Sequence, residues 1–549
     1  MAGGKSGKSV FSGWTSKAEY AAGTLASRLT LVVGIGCICS CIYVVVLLLS
    51  SNTCWTYGSP HCENAICSFV NRNRTGDSPD KSGFGPFSVT DPVNESQQFL
   101  MEKPSREYKG TSLDRIVFGI GASADMWTNR SQFLRVWWTP ETRGYVWTDR
   151  DLEANWTVGD PPYKVSGDTT HIRYTHRTGR RDAIRISRIV AESFRLGLEE
   201  KRTIDWFVMG DDDTFFFTEN LVKVLSKYDH RKLYYIGSNS EDHIQNQLFS
   251  YNMAYGGGGF AVSYPLAKKL SEMQDECMQR YPWLFGSDDR MKACMSELGI
   301  PLTKEAGFHQ VDLKGDLHGF LAAHPLSPII SLHHIEAIYP LFPGTTRAQG
   351  LKRLKKAINV DPHNILQQSI CYTSDKQWSF SVSWGYTVHV YKGFLPPHEL
   401  EVPQLTFVSW HRRRESYAFP INTRPLPREI CDEPAHFYMV DAKPLNESRG
   451  YSAYVKHERP NRVRDCQEKL MPMSLVDKIF VISEPVEEDW FQSPRRQCCR
   501  VKDELTLHIS KFSSEAVGEI AALLGSPRKG VFFVIGSWAR ITSIIFAAR

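Results

Sequence analysis

Several things the chain lacks narrow its chemistry before any motif is read. No block of Lys or Arg runs through its 549 residues, and the net charge is only +5, so a groove tracking a nucleic-acid backbone is not expected. No two Cys-x-x-Cys elements occur, which argues against a thiolate metal centre. The long glycine run, Gly256–Gly259, has no Lys-Ser/Thr after it at the spacing a phosphate loop requires. Lys502-Asp503-Glu504-Leu505 spells an ER-retrieval signal but lies inside the chain, where such a signal does not act. Finally, no Lys or Arg stands between Arg28 and Arg72.

That last gap contains Leu29 to Ser50, an uncharged and mostly apolar run long enough to cross a bilayer. Lys5, Lys8, Lys17 and Arg28 precede it, an asymmetry that puts residues 1–28 in the cytosol and all that follows in the lumen or outside. A cleaved signal peptide is the rival reading. The run exceeds the usual ~7–15-residue apolar region of such peptides, and Leu49-Ser50-Ser51 is a poor cleavage site, so a retained transmembrane anchor over 29–50 is expected. Asn73, Asn94, Asn129, Asn155 and Asn446 each open an Asn-x-Ser/Thr sequon, all beyond the anchor. Cys37, Cys39 and Cys41 sit inside the run and leave ten cysteines beyond it, an even number that permits disulfides in an oxidising compartment.

Residues 51–110 are rich in Ser, Pro, Asn and Gly and read as a stem or linker. Ile116–Gly121 is a short apolar strand. Residues 182–199 have a helical period with Ile184, Ile189, Val190 and Phe194 on one face. A strand at Trp206–Met209, a helix at Thr218–Lys227 and a strand at Leu233–Gly237 follow. Strands alternating with helices predict an α/β fold whose mixed sheet is largely parallel, with ligands beyond the carboxyl ends of the strands. After Gly344 the pattern changes: Trp378–Tyr391 and Gln404–Trp410 alternate apolar and polar residues, predicting a smaller β-rich accessory region over residues 365–500. Residues 501–549 form an atypical tail in which the apolar run Val531–Ala548 is broken by Arg540; the sequence does not place it.

Three consecutive carboxylates, Asp211-Asp212-Asp213, end the strand that Trp206 begins. Adjacent anions repel, so a fold that gathers them has use for a cation, and hard oxygen ligands suit Mg²⁺ or Mn²⁺. A solvated acidic turn is the bland alternative. The four glycines at 256–259 let a ligand approach the backbone closely, or simply make a turn. Gly286-Ser287-Asp288-Asp289 opens a helix with Ser287 as N-cap. Acids there favour the macrodipole, and the same position would keep a general base ionised. Five histidines lie between His309 and His334. Of the adjacent pair His333-His334, at most one should reach a carboxylate site, because neighbouring strand residues face opposite ways.

The order of an aromatic-flanked Asp-Asp-Asp, the Tyr255-Gly-Gly-Gly-Gly-Phe-Ala entrance, an Asp-Asp pair opening a helix, Gly307-Phe-His-Gln and Ser331-Leu-His-His-Ile-Glu resembles the Fringe-like β-1,3-glycosyltransferases of glycosyltransferase family 31, and within them a plant branch of uncharacterised proteins. The resemblance covers roughly residues 110–500. It implies a GT-A-like catalytic domain over 111–364 and an inverting reaction with a UDP-sugar donor, a glycan or glycoconjugate acceptor and Mn²⁺, with Mg²⁺ as the alternative ion. Carried over by position, Asp213 and His334 would be metal ligands, with His333 second choice. Asp211, Asp212, Gly257 and Gly258 would hold the nucleotide sugar, and Asp289 would be the base. The implied setting is the Golgi membrane, single-pass with the catalytic part lumenal; association with like copies stays open. The rivals are a lumenal glycan-binding protein without transfer and a metal-dependent phosphohydrolase.

Overall fold

The computed structural model describes residues 110–502 and 530–536, apart from 153–154, 201, 447–448 and 458–475. The anchor expected at 29–50, the stem, Asn73 and Asn94 lie outside the described residues. Among the described residues no helix is long and apolar enough to cross a membrane.

The first sheet has seven strands: β1 (Ile116–Gly121), β2 (Arg143–Thr148), β3 (Tyr163–Val165), β4 (Trp206–Asp211), β5 (Tyr235–Gly237), β6 (Phe260–Ser263) and β7 (Leu302–Lys304), in the order β3-β2-β1-β4-β6-β5-β7. Pairing is parallel along β3-β2-β1-β4 and between β5 and β7, and antiparallel on both sides of β6. Only β6 therefore runs against the rest. β1 and β4 are covered on both faces, which is why they read as continuous apolar runs.

One face of this sheet carries the helices α2 (Asp182–Glu199), α4 (Tyr264–Arg280) and α5 (Ser287–Glu297); Ile184, Ile189, Val190 and Phe194 are all buried there beside Val117, Phe207 and Met209. A disulfide between Cys277 and Cys294 ties α4 to α5. On the other face, Ile116, Phe118, Ile120 and Val208 meet α1 (Trp127–Trp137) and α3 (Thr218–Leu225), in a core that continues through α7 (Arg347–Val360) to the second sheet. The short helix α6 (His318–Ala322) packs against strands of the second sheet.

The second sheet has eight strands, β8 (Gln368–Tyr372), β9 (Trp378–Ser383), β10 (Thr387–Lys392), β11 (Ala435–Pro444), β12 (Gly450–Lys456), β13 (Lys478–Ser483), β14 (Cys498–Lys502) and β15 (Gly530–Gly536), in the order β8-β9-β10-β11-β12-β13-β15-β14. It is antiparallel apart from the β13–β15 pair. The edge strands β8 and β14 are joined by a disulfide between Cys371 and Cys499, so the sheet curls until its edges meet. The start of the apolar run at 531 is thus a strand inserted between β13 and β14, which the interruption at Arg540 concealed.

Candidate active site

Asp211 closes β4, and the turn after it is held by its own backbone. Asp212 N–H donates to Gly121 O at 3.0 Å, Thr214 N–H to Asp211 O at 3.0 Å, and Asp211 N–H to Thr214 Oγ1 at 2.9 Å. Thr214 Oγ1 donates in turn to Gly257 O at 2.7 Å, tying the acidic turn to the glycine run. A three-stranded patch of Phe215–Phe216, Ser331–Leu332 and Phe308–His309 then sets the histidine. Ser331 pairs with Phe216 and Leu332 with Phe215, antiparallel, so the residues after Leu332 come back beside the Asp triplet.

His333 is the histidine that arrives. Its Nε2 lies 3.1 Å from Asp213 Oδ1 and 3.6 Å from Asp211 Oδ2, while Nδ1 sits 3.2 Å from Gln310 O. Donation from Nδ1–H to that carbonyl fixes the ring with Nε2 facing the carboxylates, as an N–H donor when protonated and as a lone pair when a cation takes the proton's place. His334, expected as the ligand, is not there: the strand ends at Leu332 and His334 takes a φ of 51°. Its Nδ1 faces Asp312 Oδ1 at 3.3 Å and its ring stacks on Trp410 with centroids 4.3 Å apart. Of the other three, His309 and His324 share a buried hydrogen bond at 2.9 Å, and His318, on α6, packs against His389 of the second sheet.

Asp211, Asp213 and His333 each offer one ligand atom, all within 4.8 Å of one another. Asp212 Oδ2 and Asp213 Oδ2 are buried with no hydrogen-bond partner among the described residues. Buried carboxylate oxygens of that kind are costly unless something positive meets them, so the donor set fits a hard divalent cation. Burial works against ionisation of Asp213, yet His333 and Arg130 hold its carboxyl well below the usual range. Burial pushes Asp212 up to about 7 despite Arg130, and pushes Asp211 up as well. Against its own burial, His333 is pushed up to about 9 by Asp213 and Asp211.

The sequence reading missed two residues here. Arg130, on α1, places Nη1 2.8 Å from Asp212 Oδ1 and 3.3 Å from Asp213 Oδ1, with Nη2 2.9 Å from Glu336 Oε2. A lone arginine inside a sequon carries no signal of this. Glu336 did have one, as the last member of the His-His-Ile-Glu element.

The glycines have a packing role at this site. Gly257 and Gly258 are buried, and a Cβ on Gly257 would stand 2.1 Å from His333 Cε1, while one on Gly258 would stand 2.9 Å from Gln310 N. Gly258 N–H donates to Gln310 Oε1 at 2.6 Å. They admit the protein's own histidine and glutamine.

The helix α5 begins at Ser287, and its N-cap is Gly286 rather than Ser287. Both oxygens of Asp289 are engaged there: Oδ2 accepts from Phe285 N–H at 2.8 Å and Oδ1 from Gly286 N–H at 3.0 Å. Asp288 points toward Asp211 and Gly256, and burial together with the Asp211 charge pushes its carboxyl up to about 7. Asp288 and Asp289 share a cleft of about 290 Å³ with Tyr255, Phe285, His334 and Trp410.

Residues 111–318 match the family model described as Fringe-like. This stretch is similar to Fringe-like domains. It holds the Asp triplet, the glycines, α5 and the His309 strand; His333 and His334 lie just past its end. A second family model, described as a protein of unknown function, DUF604, matches residues 245–499 and so overlaps the Fringe-like domain and takes in most of the second sheet. A curated relative is the beta-1,3-N-acetylglucosaminyltransferase lunatic fringe of Danio rerio, 25% identical over 275 residues. That match covers 44% of this chain and 62% of the relative, so the chain spans less than two thirds of the relative's length. A solved glycosyltransferase involved in glycosylation of the major capsid of PBCV-1 overlaps 43% of the chain and 98% of its own, at 10% identity and a TM-score of 0.23, too slight a likeness to bear on the fold.

Proposed function

We propose that this chain is an inverting, metal-dependent glycosyltransferase with a GT-A-like domain, moving a sugar from a UDP-sugar to a hydroxyl of a glycan or glycoconjugate in β-1,3 linkage. The observation that carries this reading is the meeting of Asp211, Asp213 and His333 around unpartnered buried carboxylate oxygens, at the carboxyl end of a parallel strand within the Fringe-like domain. Mn²⁺ or Mg²⁺ held by these three residues would supply Lewis-acid neutralisation of a departing diphosphate.

The remaining chemistry belongs to the cleft. Asp289 lines the aromatic cleft and is the proposed base: its two backbone hydrogen bonds fix its direction, and each oxygen keeps a lone pair to take the acceptor proton. The acceptor oxygen then attacks the anomeric carbon from the face opposite the diphosphate and inverts it, with no covalent enzyme intermediate. Asp288 lies between cleft and acidic cluster, nearer the donor side, which suits it less to the role of base. Phe285 offers a face for a sugar ring and Trp410, its faces taken by His334 and Lys314, an edge, while Tyr255 Oη is buried in the cleft wall with no partner among the described residues. A lumenal, Golgi-anchored setting with Leu29–Ser50 as signal anchor is part of the proposal; it is supported by the exposure of Asn129, Asn155 and Asn446.

The test is turnover of a panel of UDP-sugars by the purified chain with Mn²⁺, beside Asp213→Ala and Asp289→Asn. Consumption of one donor, requiring the metal and both carboxylates, is the expected result and names the sugar. Mn²⁺-dependent UDP binding with no consumption of any donor across an acceptor panel would replace the reading with a glycan-binding relic. Hydrolysis of the UDP-sugar without acceptor, faster than transfer, would favour a phosphohydrolase.

A further inference from the structure

A second cluster of metal-ligating side chains lies apart from the acidic site and shares no residue with it. His389 on β10 and His436 on β11 are direct cross-strand partners, with ring centroids 4.5 Å apart. His318, the first residue of α6, sits over both, at 4.7 Å from the His389 ring and 4.8 Å from the His436 ring. Each imidazole offers one nitrogen, all within 4.8 Å of one another, and the three residues are only 2, 2 and 4% exposed.

The surroundings orient these rings. Tyr438 Oη and Tyr386 Oη lie 3.1 and 3.2 Å from His318 Nδ1, and Tyr391 Oη lies 3.3 Å from His389 Nδ1. When Nδ1–H of His318 and of His389 each donates to a tyrosine oxygen, their Nε2 atoms present lone pairs. His318 Nε2 and His389 Nε2 face each other at 2.5 Å. A proton on one of the two nitrogens, or a cation between them, satisfies that contact.

We propose that His318, His389 and His436 form a structural site for a borderline transition-metal ion, Zn²⁺ being the first choice. Imidazole nitrogens alone select such ions over Mg²⁺ or Mn²⁺, which require oxygen. Nitrogens held at about 2.0–2.1 Å from a tetrahedral ion stand about 3.3 Å apart, so binding needs the rings to part by less than about 1 Å. The burial of all three rings fits a role in holding elements together. The ion would clamp α6, where the Fringe-like match ends at residue 318, onto two neighbouring strands of the second sheet.

Metal analysis and melting of the full-length purified chain decide the matter. After dialysis against a weak chelator, wild type should retain about one Zn²⁺ per chain. His333→Ala, which removes a nitrogen from the acidic site, should retain the same amount, and the double variant His389→Gln, His436→Gln should lose it. Since that variant could fail to fold, two readouts use wild type alone. A strong chelator should lower the melting temperature reversibly on Zn²⁺ return, and Co²⁺ loading should give the visible absorption of a tetrahedral nitrogen site, bleached by Zn²⁺. Wild type that holds no transition metal and melts identically with and without chelator and Zn²⁺ would overturn the site. So would metal that leaves with His333→Ala and stays in the histidine double variant. In either case the cluster is a hydrogen-bonded His/Tyr network, and the acidic-site reading is untouched.

Discussion

The two sheets of this molecule both gather histidines, but in opposite company. At the first sheet, His333 is delivered by a short strand to the loop end of β4 and meets carboxylates; at the second, His389 and His436 are paired within adjacent strands and meet another imidazole and tyrosine hydroxyls. Strand ends open toward solvent and a cleft, so charge can be collected there and neutralised by what binds. Strand interiors exclude water, so any charge there must be paired or coordinated. On the proposed reading turnover falls to the first region and cohesion to the second, and single substitutions should separate the two.

The largest expected effect is at the cleft. Asp289→Asn should lower transfer by about 10²–10⁴-fold in kcat while leaving Mn²⁺-dependent UDP binding in place. Asp288→Asn is the paired control: a larger loss there than at Asp289 would move the base one residue back. Stability should change little in either, because asparagine keeps one capping oxygen.

Next comes the second sheet. Replacing Cys371 and Cys499 by Ser opens a crosslink spanning 128 residues and should cost about 2–4 kcal/mol of stability. Denaturant unfolding checks the cost, and kcat of the folded fraction should be unchanged. A loss of kcat at full folding would mean that the sheet edge reaches the catalytic region.

A smaller effect separates packing from ligand contact at the glycines. Gly257→Ala places a methyl group where the His333 ring lies, so the ring must withdraw from Asp213. Mn²⁺ affinity should fall about 10–100-fold, as for displaced supports of a ligand, while UDP affinity at saturating metal should hold. A drop in UDP affinity at saturating metal would restore the glycines to the nucleotide.

These cases also mark what was legible in the sequence. Apolar runs at 116–121 and 206–209 and the period at 182–199 read correctly, because strands covered on both faces and one-sided helices leave local patterns. The acidic triplet was legible for a similar reason: three adjacent charges are rare and local. The choice of His333 over His334 was not, since it depends on where a two-residue strand stops and on a left-handed φ at residue 334. Arg130 and the trio His318, His389 and His436 are joined only by tertiary structure, across sequence separations of 82 and 71 residues for the Arg130–Asp212 and His318–His389 contacts. The strand at 530–536 was hidden because it pairs with β13 only after the chain has already made β14.

The smallest predicted effect is at the join between the regions. Trp410 follows Phe407–Ser409, which pairs with Leu313–Gly315, and its ring is sandwiched: His334 stacks on it, and Lys314 Nζ lies 3.9 Å from its centroid. Trp410→Ala should remove an aromatic wall from the acceptor side of the cleft without touching the acidic site. An aromatic contact of this kind is worth about 0.5–1.5 kcal/mol beyond its area, so KM for the acceptor should rise by roughly threefold to tenfold. KM for the UDP-sugar should not move, and Trp410→Phe should recover most of the loss. If donor KM rises instead, the freed His334 has reached the acidic cluster and the division between donor and acceptor sides fails.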